Sequence, residues 1–162
     1  MDESKALDDG LRVVQYEPRH AEAFRELNLA WIQEYFKVED FDREELLNPE
    51  KTVLGQGGAI LVAEESGIAV GVCALLFISP GYYEISKMAV REDRRNCGIG
   101  RCLFDAVLQH ARDLGAKKLL IISNTIMESA IHLYRKYGFV EIPLPDSQEY
   151  DRANIAMELS LV

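Results

Sequence analysis

The stretch from Lys87 to Phe104 constrains this chain more than any other. An apolar extended run ends at Val90, a polar and basic turn follows, and Gly98 and Gly100 open an amphipathic helix. A strand–turn–helix of this kind leaves the first helical N–H groups without intrahelical partners. Those donors lie at the positive end of the helix dipole and form an anion site. The two glycines have no Cβ to hold a ligand away from the backbone. Arg94, Arg95 and Arg101 add positive charge to a chain whose formal net charge is −9. The stretch reads as a cradle for a pyrophosphate.

The rest of the chain supplies a sheet and helices to carry that cradle. Periodicity predicts a strand over 11–16, a helix over 20–36 and a short helix over 42–47 closed by Asn48-Pro49. Strands at 59–64 and 68–77, joined by a short Gly-containing loop, form a hairpin, and 82–90 adds a third strand. Lys87 breaks the apolar run of that third strand, so one face or one end is expected to be accessible. The helix opened by Gly98 ends at Leu114-Gly115, where glycine suits the left-handed position. Leu119 to Ile122 is a continuous apolar run, the mark of a strand buried on both faces. A helix over 125–137 and strands at 139–142 and 154–161 complete the order. The expected fold is α/β of the mixed α+β kind. An antiparallel meander precedes a parallel βαβ crossover, with helices on both faces of one mixed sheet. Residues 1–10 read as an acidic, flexible lead, and 11–162 as a single domain whose length suits one core.

Composition removes several classes of function. The acidic balance disfavours nucleic-acid binding, which needs a basic face. No apolar run reaches the length of a membrane span, and the first residues lack the basic and apolar regions of a secretory signal. Cys73, Cys97 and Cys102 show no framework or CxxC spacing, and no His lies at metal-ligand distance in sequence, so no metal is expected. The expectation is a cytoplasmic protein with reduced thiols.

Three glycine motifs compete for the cradle. A P-loop requires Lys-Ser/Thr after its last glycine, where Arg101-Cys102 stands. A dinucleotide fingerprint requires a third glycine where Leu103 stands, and an acidic residue where Ser123-Asn124 ends the next strand. The third pattern, Arg95-x-x-Gly98-x-Gly100, resembles the pyrophosphate loop of the GNAT superfamily of acetyl-CoA-dependent N-acetyltransferases. Ala130-x-x-Leu133-Tyr134-x-x-x-Gly138-Phe139 is similar to that superfamily's later signature. The element order agrees with the superfamily across roughly 11–160.

This resemblance implies an N-acetyltransferase that moves an acetyl group from acetyl-CoA to a primary amine by direct attack in a ternary complex. The alternative is a non-catalytic acyl-CoA-binding or sensing module on the same fold. By resemblance, the backbone of Met88, Ala89 and Val90 would hold the pantetheine arm and the thioester oxygen. Arg95, Asn96, Cys97, Gly98, Ile99, Gly100 and Arg101 would bind the pyrophosphate, and Asn124 and Tyr134 would contact the cofactor. Tyr134 is the candidate general acid, since a phenol can protonate a departing thiolate. Glu84 stands six residues before Val90 and matches the catalytic Glu of histone-acetylating members; it is the candidate general base. Read from the residues, Tyr150, Arg152 and Asn154 alternate into the last strand, and period two puts them on one face. Arg152 could hold a carboxylate there. With Trp31 and Tyr35 these three form the candidate acceptor pocket, for a small-molecule or peptide amine. The resemblance also admits a homodimer.

Overall fold

A computed structural model describes residues 10–162. The expected lead at 1–10 lies outside the described residues apart from Gly10, which sits in a turn. The sheet has seven strands: β1 (Leu11–Gln15), β2 (Ala59–Glu65), β3 (Ile68–Ser79), β4 (Tyr82–Val90), β5 (Lys118–Ser123), β6 (Val140–Ile142) and β7 (Ile155–Ser160). Their spatial order is β1-β2-β3-β4-β5-β7-β6. Only β4 and β5 are parallel; every other neighbouring pair is antiparallel. This is the mixed sheet that the sequence predicts.

Helices cover both faces. On one face α1 (Ala21–Tyr35) and α2 (Asp40–Leu47) bury Phe24, Ile32 and Leu46 against Val62, Val72 and Ala89. On the other, α4 (Ile99–Asp113) and α5 (Glu128–Lys136) bury Leu103, Phe104 and Ile131 against Cys73, Ile85 and Ile121. Leu119, Leu120 and Ile121 are buried, as a central strand of a crossover requires. His20, at the start of α1, is also buried; its Nδ1 accepts the Glu17 N–H and its Nε2 lies 2.6 Å from Glu64. Among the described residues no helix is long and apolar enough to cross a membrane.

Several boundaries differ from the sequence reading. Asn48-Pro49 does not end the helical region: Pro49 opens a further turn, α3 (Pro49–Thr52), with proline at a position that needs no N–H. The α2 helix begins at Asp40, because Glu39 and Asp42 bond reciprocally across its first turn. The helix expected from 125 begins only at Glu128. Side-chain oxygens of Asn154 and Asn124 take the N–H groups of Thr125 and Ile126, both at 2.9 Å, and hold that segment as a turn. The last strand starts at Ile155, so Tyr150, Arg152 and Asn154 are not on a strand and period two does not align them. A turn closes the segment instead, with the Ala153 N–H 3.2 Å from the Tyr150 carbonyl.

Two irregularities position the site. β4 pairs with β5 only from Tyr82 to Glu84, so residues 85–90 run on without a partner in β5. The β3–β4 register also slips between Val72/Ala89 and Ala74/Ser86, so Lys87 and Met88 together oppose Cys73. Lys87 occupies the left-handed region at φ 52°, which makes this a bulge with one residue inserted.

Candidate active site

The splay between β4 and β5 opens a cleft of about 400 Å³. Its walls combine three groups of expected residues: Met88, Ala89 and Val90 from β4, Tyr134 and Asn124 from the β5–α5 side, and Trp31, Tyr35, Tyr150 and Arg152 from the opposite face. Arg95 and Asn96 stand at one end.

That end leads to the mouth of α4. Gly98 caps the helix in the left-handed conformation at φ 84°, a geometry that glycine adopts without strain. The first intrahelical bond runs from Cys102 N–H to Gly98 O at 3.0 Å, so the N–H groups of Ile99, Gly100 and Arg101 precede the ladder. Asn96 is left-handed as well, at φ 64°. Successive turns of this kind aim backbone N–H groups into one concavity, which suits a diphosphate. A Cβ on Gly100 would lie 3.5 Å from Met88 Cε, so the helix mouth seats directly on the free end of β4. The arginines are less available than their charge suggests. Arg94 pairs with Glu65, and Arg95 lies 3.2 Å from Glu34.

Tyr134 is half-buried, its ring stacked on Phe104 with centroids 5.6 Å apart. Burial raises its pKa above the ordinary phenol value, so the hydroxyl keeps its proton at neutral pH. The residue lines the cleft. Asn124 is already engaged: its Nδ2 donates to the Arg152 carbonyl at 2.6 Å. Asn154 does not reach the cleft wall; its amide ties the turn at Thr125.

Glu84 does not line the cleft either. It is half-buried on the α2 side of β4, beneath the wall. Burial pushes its carboxyl up to about 7, the nearby charge of Glu45 adds to the effect, and Lys87 opposes it.

The feature that the sequence concealed is the buried ionic network beside Glu84. Lys87 is not accessible, contrary to the expectation from its place in an apolar run. It is 5% exposed, because the inserted residue turns its side chain toward α2. Its Nζ lies 2.9 Å from Asp42, 3.2 Å from Glu45 and 2.6 Å from the Tyr150 hydroxyl. The Tyr150 hydroxyl in turn donates to Glu45 at 3.0 Å. Arg152 grips Asp42 with both terminal nitrogens, at 2.7 and 2.8 Å, and approaches Glu39 at 3.4 Å. Burial alone would raise the Asp42 pKa, but the bonds from Arg152 and Lys87 outweigh it and hold the carboxylate well below its ordinary range. Arg152 therefore has no free fork for a substrate carboxylate. Asp42, Glu45 and Lys87 carry no sequence motif; only the charged residue inside an apolar strand signalled that a partner was needed.

Comparisons with known proteins bear on the family and the fold. Residues 21–139 match the model of the Acetyltransferase (GNAT) family. An uncharacterised N-acetyltransferase of Schizosaccharomyces pombe is 29% identical over 126 residues, covering 75% of this chain and 77% of that protein. Further curated relatives are 26–37% identical, and the chain spans 40–54% of their length. The crystal structure of a GNAT-family acetyltransferase from Staphylococcus aureus has a TM-score of 0.84 at 24% identity, covering 94% of this chain and 99% of that one. The structure of yncA from Salmonella typhimurium, solved with its cofactor acetyl-CoA, has a TM-score of 0.73 at 18% identity and covers 95% of each chain. These structural likenesses concern the fold.

Proposed function

The chain belongs to the GNAT acetyltransferase family, whose members use acetyl-CoA, and from that premise we propose that it acetylates a primary amine by direct attack in a ternary complex. The observation that carries the reading is the edge of β4 left without a β5 partner from residue 85 to 90, which runs from the cleft to the open mouth of α4. Bound there, acetyl-CoA supplies an activated carbonyl and a thiolate leaving group.

The chain's own groups meet the remaining needs. The N–H groups of Ile99, Gly100 and Arg101 hold the pyrophosphate at the positive end of α4. The free edge of Met88, Ala89 and Val90 holds the pantetheine arm as an added strand would. A backbone N–H of that edge would serve the carbonyl oxygen, where a preformed donor counts most as charge develops. Tyr134, kept protonated by burial, is the proton donor to the leaving sulfur. Glu84, with a pKa of about 7, is the base that receives the ammonium proton. Because it stands behind the wall, that proton reaches it through a bridging water. A cytoplasmic setting belongs to this reading on the composition argument above.

The test follows thiol release from acetyl-CoA against an amine panel. Tyr134→Phe is expected to lower kcat by roughly 100-fold, a typical loss for a general acid, with acetyl-CoA affinity by calorimetry little changed. An undiminished kcat removes Tyr134 from the mechanism, and no stabilisation by acetyl-CoA in thermal melts removes the reading itself.

A further inference from the structure

We infer that Asn124 is a positioning residue of the acceptor wall: its side-chain amide fastens the turn at 150–153 to the end of β5 and so fixes Arg152, Tyr150 and Phe36 at the cleft. The inference rests on the acetyltransferase reading and deepens it. It departs from the resemblance, which implies a cofactor contact for the same residue.

Residues 143–154 join β6 to β7 without a helix or strand of their own. Such a segment takes its shape from the groups that satisfy its backbone. Toward α2, Glu39 accepts the Asp151 N–H at 2.9 Å and the Arg152 N–H at 3.3 Å, and Asp42 holds the Arg152 guanidinium at 2.7 and 2.8 Å. Toward β5, the Arg152 carbonyl accepts Asn124 Nδ2 at 2.6 Å. One residue thus meets α2 with its N–H and its side chain, and the end of β5 with its carbonyl. The chain rejoins the sheet at Asn154, whose N–H bonds the Ser123 carbonyl at 3.0 Å. Between that bond and those to Glu39, the Asn124 amide holds the 152–153 peptide.

The other end of the same amide is also engaged. Asn124 Oδ1 takes the Ile126 N–H at 2.9 Å and holds the turn that precedes α5. A carbonyl on one side and an N–H on the other are satisfied together by one orientation of the amide. The two bonds therefore join the turn after β5 to the turn before β7.

The consequence reaches the cleft, which Phe36, Asn124, Tyr150 and Arg152 all line. The Arg152 guanidinium carbon lies 4.5 Å from the Tyr150 ring centroid and 5.7 Å from that of Phe36. Moving the Arg152 carbonyl away from Asn124 would shift that guanidinium and with it the surface the two rings present. Misplacement by about 1 Å is enough to cost rate when an amine must be held against a thioester.

Asn124→Asp separates the two bonds. A carboxylate still accepts the Ile126 N–H but cannot donate to the Arg152 carbonyl. The experiment measures kcat and KM for propylamine and for a lysine-containing peptide, acetyl-CoA binding by calorimetry, and amide hydrogen exchange without substrate. In Asn124→Asp, exchange over 150–154 should be faster while that at Ile126 is retained. KM for the amines should rise about tenfold, the scale of one buried hydrogen bond lost, with acetyl-CoA affinity unchanged. Asn124→Ala should give the same KM change and also faster exchange at Ile126. Parental KM and exchange in Asn124→Asp would reduce Asn124 to a turn residue and overturn the inference. Weaker acetyl-CoA binding with amine KM unmoved would assign it to the cofactor and overturn it as well. If the parent protein itself neither binds acetyl-CoA nor releases its thiol, the acetyltransferase reading fails, and exchange over 150–154 still decides whether Asn124 fastens the turn.

Discussion

The two walls of the cleft are built from different material. The donor wall is backbone: the free edge of β4 and the N–H groups at the mouth of α4, shaped by Gly98 and Gly100. The acceptor wall is side chain: Lys87, Tyr150 and Arg152 locked to Glu39, Asp42 and Glu45. A backbone wall suits a partner that is always the same, since its donors do not depend on side-chain identity. A side-chain wall can be rewritten residue by residue, and that would suit the half of the site proposed to select the amine.

The comparison can be broken most severely at Asp42. Asp42→Asn leaves Lys87 and Arg152 short of a buried countercharge and is expected to destabilise the fold by about 3–5 kcal/mol. Urea unfolding measures this; a loss under about 1 kcal/mol, the range of exposed pairs, would mean that the network is not a buried ionic system. Glu84→Gln tests the same wall with the opposite sign. The folded carboxyl titrates near 7 against an ordinary 4.5, so the stability it contributes is present below 4.5 and lost as pH rises through 7. The Gln variant should therefore be more stable than the parent at pH 8 by about 2–3 kcal/mol, with the difference vanishing in acid. Its pH–rate profile should also lack the rising limb near pH 7; a retained limb assigns the base elsewhere. On the donor wall, Gly98→Ala forces a Cβ into a left-handed position at φ 84°. It should destabilise by about 1–2 kcal/mol and weaken acetyl-CoA binding in calorimetry, with KM for the amine unaffected. The smallest effect belongs to Asn154→Ala, which removes the ties to Thr125 for about 1 kcal/mol, read as a small drop in Tm with both substrates' KM values unmoved.

The same contrast explains what the sequence could disclose. The cradle was legible because its parts are local: an apolar strand, a turn and two glycines lie within one stretch, and each has a backbone reason to be there. The crossover was legible too, because Leu119 to Ile122 has no polar face to show to water. The acceptor wall was not legible, because its bonds join residues 45, 63, 105 and 110 positions apart. No local period records such pairings. Tyr150 and Arg152 were picked out by an alternation that does not exist in the fold, and they reach the site by a turn instead. Asn154, chosen by the same rule, serves the turn at Thr125. Lys87 gave the truest hint, a charge inside an apolar strand, but the hint could be read as exposure or as a buried pair.

The bulge at Lys87 has a consequence for strand parity. Before it, odd-numbered Tyr83 and Ile85 pack toward α4; after it, even-numbered Met88 and Val90 do so, and Ala89 turns to the other side. One inserted residue thus reverses the odd–even code of β4 halfway along. Upstream residues present Glu84 to the α2 side of the sheet, and downstream residues keep their apolar groups under α4. Removing a single residue here would put every later side chain on the wrong face while leaving the hydrophobic composition of the strand almost unchanged. The reading frame of this strand, more than its content, is what lets one β-strand serve two differently built faces of the sheet.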